Sequence, residues 1–362
     1  MDFSLTEEQQ AVRDLTGQIL EGRLTPERRK EVEGADSRID RGLWADLAAA
    51  NLLAISLPEA LGGSGLGFLA TYLVLEQIGR AAAPVPYLAT VVLGALPIAA
   101  YGTDEQQARY LPPVVAGDTF LTAALVDERG APATAAVQDT GGQWRLTGAK
   151  TCVPAGMVAA HALVPAATTD GASAVFVVDL DQPAVARTRL ETTSGSVEAH
   201  LDFDAAAAEP IAAPLDWITD RATVGLCAMA VGVCEEAVRL TAEYTKTRHQ
   251  FDKPIASFQA VGQRAAEAYI DTEAVRLTAL QAAWRIDAGL PAAEEIAVAK
   301  FWAAEGGQRV VHAAQHLHGG IGVDRDYPLH RCFLWAKELE LSLGGAGPQL
   351  RRLGALLAAG PA

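Results

Sequence analysis

Along this chain, apolar residues recur first at helical spacing, then at strand spacing, then at helical spacing again. Val12, Leu15 and Ile19 fall on one face at three- and four-residue intervals, which predicts an amphipathic helix. Thr6, followed three residues later by Gln9, is a capping-box signature for its start. Pro58 and the run Gly62-Gly63-Ser64-Gly65 break the chain before a second helix expected near 69–80. From 118 the pattern changes. Residues 120–126 read as a compact strand, and Asp139-Thr140-Gly141-Gly142 as a turn between strands at 135–138 and 143–146. Residues 174–180 are a continuous apolar strand. Val197, Ala199, Leu201 and Phe203 alternate with polar residues at period two, as on a half-buried sheet. Beyond about 211 the helical period returns, with long helices expected over 222–244, 258–288, 291–317 and 328–343. The order predicts an α+β chain, mainly α: a helical domain over 1–117, a β-sheet domain over 118–205 and a helical domain over 206–362.

Composition narrows the function classes. Half of the 362 residues are hydrophobic, ample for a large core. The net charge of −15 argues against a nucleic-acid partner and against docking on anionic lipid. An anionic ligand would have to be met by local Arg, Lys or backbone N–H groups. The longest apolar stretches, 88–101 and 222–234, fall short of the roughly 18 residues of a membrane span, so no membrane insertion is expected. The start, Met1-Asp2-Phe3-Ser4-Leu5, has neither the basic nor the apolar region of a signal peptide. Four cysteines without a C-x-x-C pair speak against structural zinc and for reduced thiols. The expected location is cytoplasmic.

Four segments carry a resemblance. They are Leu57-Pro58-Glu59-Ala60-Leu61-Gly62-Gly63; Tyr101-Gly102-Thr103-Asp104-Glu105-Gln106 leading to Tyr110-Leu111-Pro112-Pro113; Arg248-His249-Gln250-Phe251-Asp252-Lys253-Pro254-Ile255 followed by Phe258-Gln259-Ala260-Val261; and His318-Gly319-Gly320-Ile321-Gly322 followed by Tyr327-Pro328. In this order, spread over the chain, they resemble the acyl-CoA dehydrogenases. The resemblance implies an N-terminal helical domain, a middle β domain and a C-terminal four-helix-type bundle. It also implies FAD as cofactor, an acyl-CoA thioester as substrate and electron-transferring flavoprotein as acceptor. A carboxylate would take the α-proton, and the β-hydride would pass to the flavin. That chemistry demands a placed base, a dry acyl slot and donors to the thioester carbonyl.

Carried onto this sequence, the resemblance assigns Arg248, Gln250 and Phe251 to a clamp on the adenosine half of FAD across a subunit interface. A guanidinium fork suits pyrophosphate. The alternatives are a surface charge for Arg248 and a core anchor for Phe251. Gly319 and Gly320 would let backbone approach the cofactor, or simply cap a helix. Where the family has Gln, three residues before the first Gly, stands His316, with Gln315 one place earlier. His312 and His316 have metal-ligand spacing without a third ligand, so no metal site is expected.

Two parts of the family pattern are missing. The Thr-Glu-Pro and Gly-Ser-Asp features of the β domain are replaced by Val126-Asp127-Glu128-Arg129-Gly130-Ala131-Pro132. After Gly148 and Lys150 stand Cys152, Val153 and Pro154, where the family's Thr serves the flavin ring; proline has neither hydroxyl nor N–H. The usual catalytic Glu position is Leu343, before Gly344 and Gly345. Some family members instead place the base before an Arg on the first long C-terminal helix, here Asp220-Arg221. Asp220 is a candidate base with Arg221 supporting; the alternatives are a helix cap or first-turn charge and a salt bridge. Glu235 and Glu236 are expected to be solvated or paired, and Cys227 and Cys234 to be core.

Three readings stay open. One is a half-site or non-catalytic subunit paired with a homologous subunit, as in α2β2 actinobacterial members that degrade steroid side chains. Another is a homo-oligomeric dehydrogenase with Asp220 as base. The last is a non-redox protein that binds CoA esters or builds an assembly.

Overall fold

The computed structural model describes residues 3–131 and 133–360. Met1 and Asp2 of the N-terminal reading, and Pro132 of the 126–132 segment, lie outside the described residues. The first helices are α1 (Glu7–Arg23), α2 (Pro26–Glu33), α3 (Arg41–Ala49), α4 (Gly67–Ala81), α5 (Leu96–Tyr101) and α6 (Asp104–Val115), with a π-helical run at Leu88–Ala95. Strands follow: β1 (Leu121–Ala123), β2 (Val126–Asp127), β3 (Ala135–Gln138), β4 (Trp144–Pro154), β5 (His161–Thr168), β6 (Ser173–Asp179), β7 (Val185–Glu191) and β8 (Val197–Ile211). The chain continues with α7 (Leu215–Thr247), a hairpin of β9 (His249–Gln250) and β10 (Lys253–Pro254), then α8 (Gln259–Asp287), α9 (Ala293–His318), α10 (Leu329–Leu341) and α11 (Ala346–Ala359). The helix, sheet, helix order expected from the sequence is the one observed. The chain forms two compact units, each drawn from separated stretches.

One unit comprises residues 25–67 and 84–222. Its sheet runs β2-β4-β3-β5-β6-β8-β7 and closes on itself through β4–β8, with β1 parallel to β5. Closure leaves few free edges. Ala199, Leu201 and Phe203 of β8 face inward, as their alternation requires. The β3–β4 hairpin turns at Asp139–Gly142, where Asp139 accepts from the N–H groups of Gly141 and Gln143. The 120–126 strand, by contrast, is two pieces: β1 pairs with β5 and β2 with β4, so the chain changes partner at residues 124–125.

The other unit comprises residues 1–24, 68–83 and 223–362. The capping box of α1 is present: Thr6 accepts from the Gln9 N–H, and Gln9 accepts from the Thr6 N–H. The inward stripe of α1 is Val12, Thr16 and Leu20, whereas Leu15 is 42% exposed. Helix α4 is buried on nearly every side from Phe68 to Gly79. It meets α7 at backbone contact: a Cβ on Gly79 would lie 2.1 Å from the Met229 carbonyl oxygen, and one on Gly232 would lie 2.0 Å from that of Glu76. Cys227 and Cys234 are core residues of α7, as expected. Helix α9 packs against α8, α10 and α11. Its Lys300 is wholly buried and donates to the carbonyls of Leu339 and Glu340 at 2.6 and 3.1 Å, satisfying the end of α10. Helix α11 continues the helical pattern to the end of the chain, beyond the four long helices expected individually.

Candidate functional site

Arg248, Gln250 and Phe251 sit where α7 ends. Its last turn gives way at Thr247 to the β9–β10 hairpin, in which His249 pairs with Pro254 and Gln250 with Lys253. The two residues between, Phe251 and Asp252, have φ of +53° and +63°. Such turns favour Asn, Asp and Gly, so Asp252 suits its place while the Phe251 side chain costs about 1 kcal/mol or more. The result is an outward-aimed ring. Phe251 is 86% exposed, which rules out the core-anchor alternative. Its ring meets the edge of Phe258, at 6.2 Å, over which the Lys253 ammonium lies at 4.4 Å. Arg248 and Gln250 are exposed beside it.

The second group lies at the end of α9. Gly319 caps the helix at φ +63° and ψ −139°, a conformation open in practice only to glycine. A Cβ on Gly319 or Gly320 would touch nothing within 4 Å, so open space borders this backbone. The cap reading and the close-approach reading are thus compatible. Gln315 turns back and donates to the Gly319 carbonyl at 3.3 Å, while His316 points to the exposed side of the last turn. His312 is likewise exposed, edge-on to Phe333.

Sequence reasoning passed over His318, and the structure gives it the most contacts here. It is buried and stacks on Tyr244 at 4.5 Å. Its Nδ1 lies 2.8 Å from the Ala314 carbonyl, which can only accept, so Nδ1 carries the proton. Nε2 then accepts from the Tyr327 hydroxyl at 3.1 Å. Burial holds its pKa below the ordinary histidine value. The signal available in the sequence was the pairing of His318 with Tyr327-Pro328 in one motif.

Asp220 and Arg221 lie in the second turn of α7, because the helix starts at Leu215. Asp220 is therefore neither an N-cap nor a first-turn charge; Asp216 fills the latter place. Asp220 is half-buried. The Arg221 guanidinium lies over the Trp217 ring at 3.6 Å and donates to the Trp217 carbonyl at 3.4 Å. Trp217 in turn packs edge-on against Tyr101.

In the sheet, Asp127 and Lys150 form an ion pair at 2.7 Å, with Lys150 buried. Burial alone would raise Asp127, but bonds from Lys150 and Thr134 outweigh it and hold the carboxyl below its usual range. Strand β4 is irregular between Lys150 and Val153, and Cys152 and Ala155 have φ of +52° and +55°. Val153 is buried, and the Pro154 carbonyl accepts from the Thr122 hydroxyl at 2.6 Å. Leu343 sits at φ +53° after α10, its carbonyl accepting from Gln349.

Glu235 departs from expectation. It is half-buried: burial raises its pKa, and it lines a cavity with Glu76.

Comparisons with known proteins agree with this architecture. A model of the acyl-CoA dehydrogenase N-terminal domain matches residues 6–118, and one of the C-terminal domain matches residues 219–356. Acyl-CoA dehydrogenase FadE27 of Mycobacterium tuberculosis (strain ATCC 25618 / H37Rv) is 45% identical, with 100% of each chain covered. Among solved structures, a chain of the ChsE4-ChsE5 complex from Mycobacterium tuberculosis is 45% identical with a TM-score of 0.96, again over 100% of both chains. A variant of the Tcur3481-Tcur3483 steroid ACAD is 45% identical with a TM-score of 0.92 over 98% of both. No helix among the described residues is long and apolar enough to cross a membrane. This chain belongs to the acyl-CoA dehydrogenase family, FAD-dependent oxidoreductases that act on the CH–CH bond of acyl-CoA thioesters.

Proposed function

We propose that this chain is one subunit of a mixed acyl-CoA dehydrogenase, built with a homologous partner that owns the flavin ring and the catalytic carboxylate. The observation that carries the reading is a contrast. Arg248, Gln250 and Phe251 are presented outward on a strained hairpin, while the usual base position is Leu343, which cannot take a proton. The residues present fit the adenosine half of FAD: a guanidinium fork for pyrophosphate, a bare aromatic face for adenine, and open backbone at Gly319 and Gly320 beside His316. They do not fit the ring half, since Val153 is buried and Pro154 has no N–H. FAD, when bound, supplies the hydride acceptor; this chain's part is to hold its adenosine end.

Likeness to the steroid ACAD and to the ChsE4-ChsE5 complex supports a steroid or other bulky acyl-CoA as substrate and a heterotetramer as assembly. Electron-transferring flavoprotein as acceptor, the cytoplasm as compartment and domains at 1–117, 118–205 and 206–362 belong to the same proposal. A second reading rests on Asp220, half-buried on α7 beside Arg221, as base of a homo-oligomer. Asp is one methylene shorter than Glu, and a displacement of about 1 Å costs on the order of 100-fold in rate.

The test is to purify the chain alone and with a homologous partner, and to measure flavin per chain from the visible spectrum. Flavin that appears only on co-expression, at one per pair of chains, is expected. One flavin per chain in the lone protein, bleached by an acyl-CoA, would overturn the proposal in favour of the Asp220 reading. No flavin in either preparation would overturn it in favour of a non-redox CoA-ester binder.

A further inference from the structure

A cavity of about 500 Å³ lies among α1, α4, α7 and α8, and its polar groups have no role in the proposed flavin clamp. Its inner wall carries Tyr72 and Glu76, one turn apart on the buried helix α4, and Glu235 from α7. Tyr72 is 1% exposed, and its hydroxyl has no hydrogen-bond partner among the described residues. A buried hydroxyl left unpaired costs roughly 1–3 kcal/mol, so an orphan facing a cavity is a group waiting for a ligand. Glu76 is also buried, and its side chain accepts a long 3.5 Å bond from Gln77. The floor is rigid, because Gly79 and Gly232 bring α4 and α7 to backbone contact beside these residues.

Charge decides what the cavity takes. Arg13, Arg80 and Arg276 also line it, but each is paired elsewhere: Arg13 with Asp14 at 3.7 Å, Arg80 with Glu236 at 3.9 Å, and Arg276 with Glu273 through two bonds. Exposed Glu21 adds a further negative charge at the rim. Among the described residues, neither Glu76 nor Glu235 has a cation within ion-pair distance. Burial first, and then the charge of Glu235, pushes Glu76 up to about 7. Three oxygen acceptors on one wall, two of them unmatched carboxylates, match the three N–H donors of an ammonium group. A bare metal ion is the poorer match, since the described residues contain no cluster of three or more His, Cys, Asp or Glu fit to hold one. Leu73, Leu280 and Leu5 give the remaining wall an apolar stretch for a short alkyl tail.

We propose that this cavity is a binding site for a small primary alkylammonium compound, with Glu76 and Glu235 as counter-ions and the Tyr72 hydroxyl as third acceptor. The probe is n-butylammonium, titrated calorimetrically into the full-length protein at about pH 8, above the pH at which Glu76 ionises. Tetramethylammonium, which has no N–H, and butanol, which has no charge, are the controls. Saturable binding of n-butylammonium alone is expected, weakening as the pH falls through about 7 and Glu76 takes up a proton. Glu76→Gln and Tyr72→Phe should each weaken it by about tenfold or more. Tyr72→Phe keeps the ring and its packing, so it remains informative if Glu76→Gln alters the fold. No saturable heat, equal binding of tetramethylammonium, or unchanged affinity in a folded variant would overturn the proposal.

Discussion

Replacing Glu76 by Gln removes a titratable group from the buried helix α4 while keeping its shape. Burial raises this carboxyl from 4.5 to about 7, so the folded state holds the proton more tightly than the unfolded chain does. The stabilisation from that proton is fully present below about 4.5 and is lost as pH rises through about 7. The gap corresponds to on the order of 3 kcal/mol by the time Glu76 is fully ionised, with Glu235 acting in the same direction. The Glu76→Gln protein has no such loss, and the amide it carries can donate to Glu235 or to the Tyr72 oxygen. The assay is urea unfolding of both proteins across a pH series. The wild type should lose stability between about pH 5 and pH 8 relative to Glu76→Gln, and the variant should be more stable at the alkaline end by up to a few kcal/mol. Parallel pH profiles, or a variant less stable at about pH 8, would refute the placement of an unmatched carboxylate in this cavity.

Three further outcomes are expected. Phe251→Ala and Arg248→Ala should leave the melting temperature of the lone chain unchanged within error, since both side chains are exposed, yet strip flavin from the co-purified complex; retained flavin in both would remove them from the clamp. Gly79→Ala should cost about 3 kcal/mol or more, because its Cβ meets the Met229 carbonyl, while Gly262→Ala on α8, with nothing within 4 Å, should be neutral or gain up to about 1 kcal/mol; denaturant midpoints decide. His318 is held neutral, so its contribution is present above the ordinary histidine value and lost as pH falls through its lowered one; His318→Leu should flatten the acid limb of the stability profile, and an unchanged limb would count against it.

The elements were largely legible because their signals are local. The Thr6–Gln9 capping box, the Asp139–Gly142 turn and the alternation through Phe203 each depend on residues a few positions apart. The failures fall where the local pattern does not show which partner or boundary the chain adopts. On α1, hydropathy picks Leu15, but the structure turns Thr16 inward, since its hydroxyl donates to the Val12 carbonyl at 2.7 Å and travels inside already satisfied. The 120–126 run is equally apolar throughout, and nothing in it announces that its halves pair with different strands. Asp220 has the look of a cap ahead of an apolar run, yet the helix begins earlier, at Leu215. Glu235 reads as solvated or paired, yet it lines a cavity and burial raises its pKa.

For the site, the motifs named the family and the residues proposed for the clamp, since Arg248 to Ile255 and Gly319-Gly320 are short contiguous runs. The same reading exposed what is missing, because Leu343 and Pro154 lack the required groups in any conformation. Geometry was beyond it. That Phe251 is thrust outward by two positive-φ residues, and that His318 is locked between Tyr244, Ala314 and Tyr327, depends on how the chain turns and packs. The sequence alone determined which chemistry this chain can carry, since side-chain identity sets what can donate, accept or ionise. Only the tertiary structure decided which groups are deprived of water together. Tyr72, Glu76 and Glu235 acquire their character from helices packed around one cavity, and desolvation is a property of the packing.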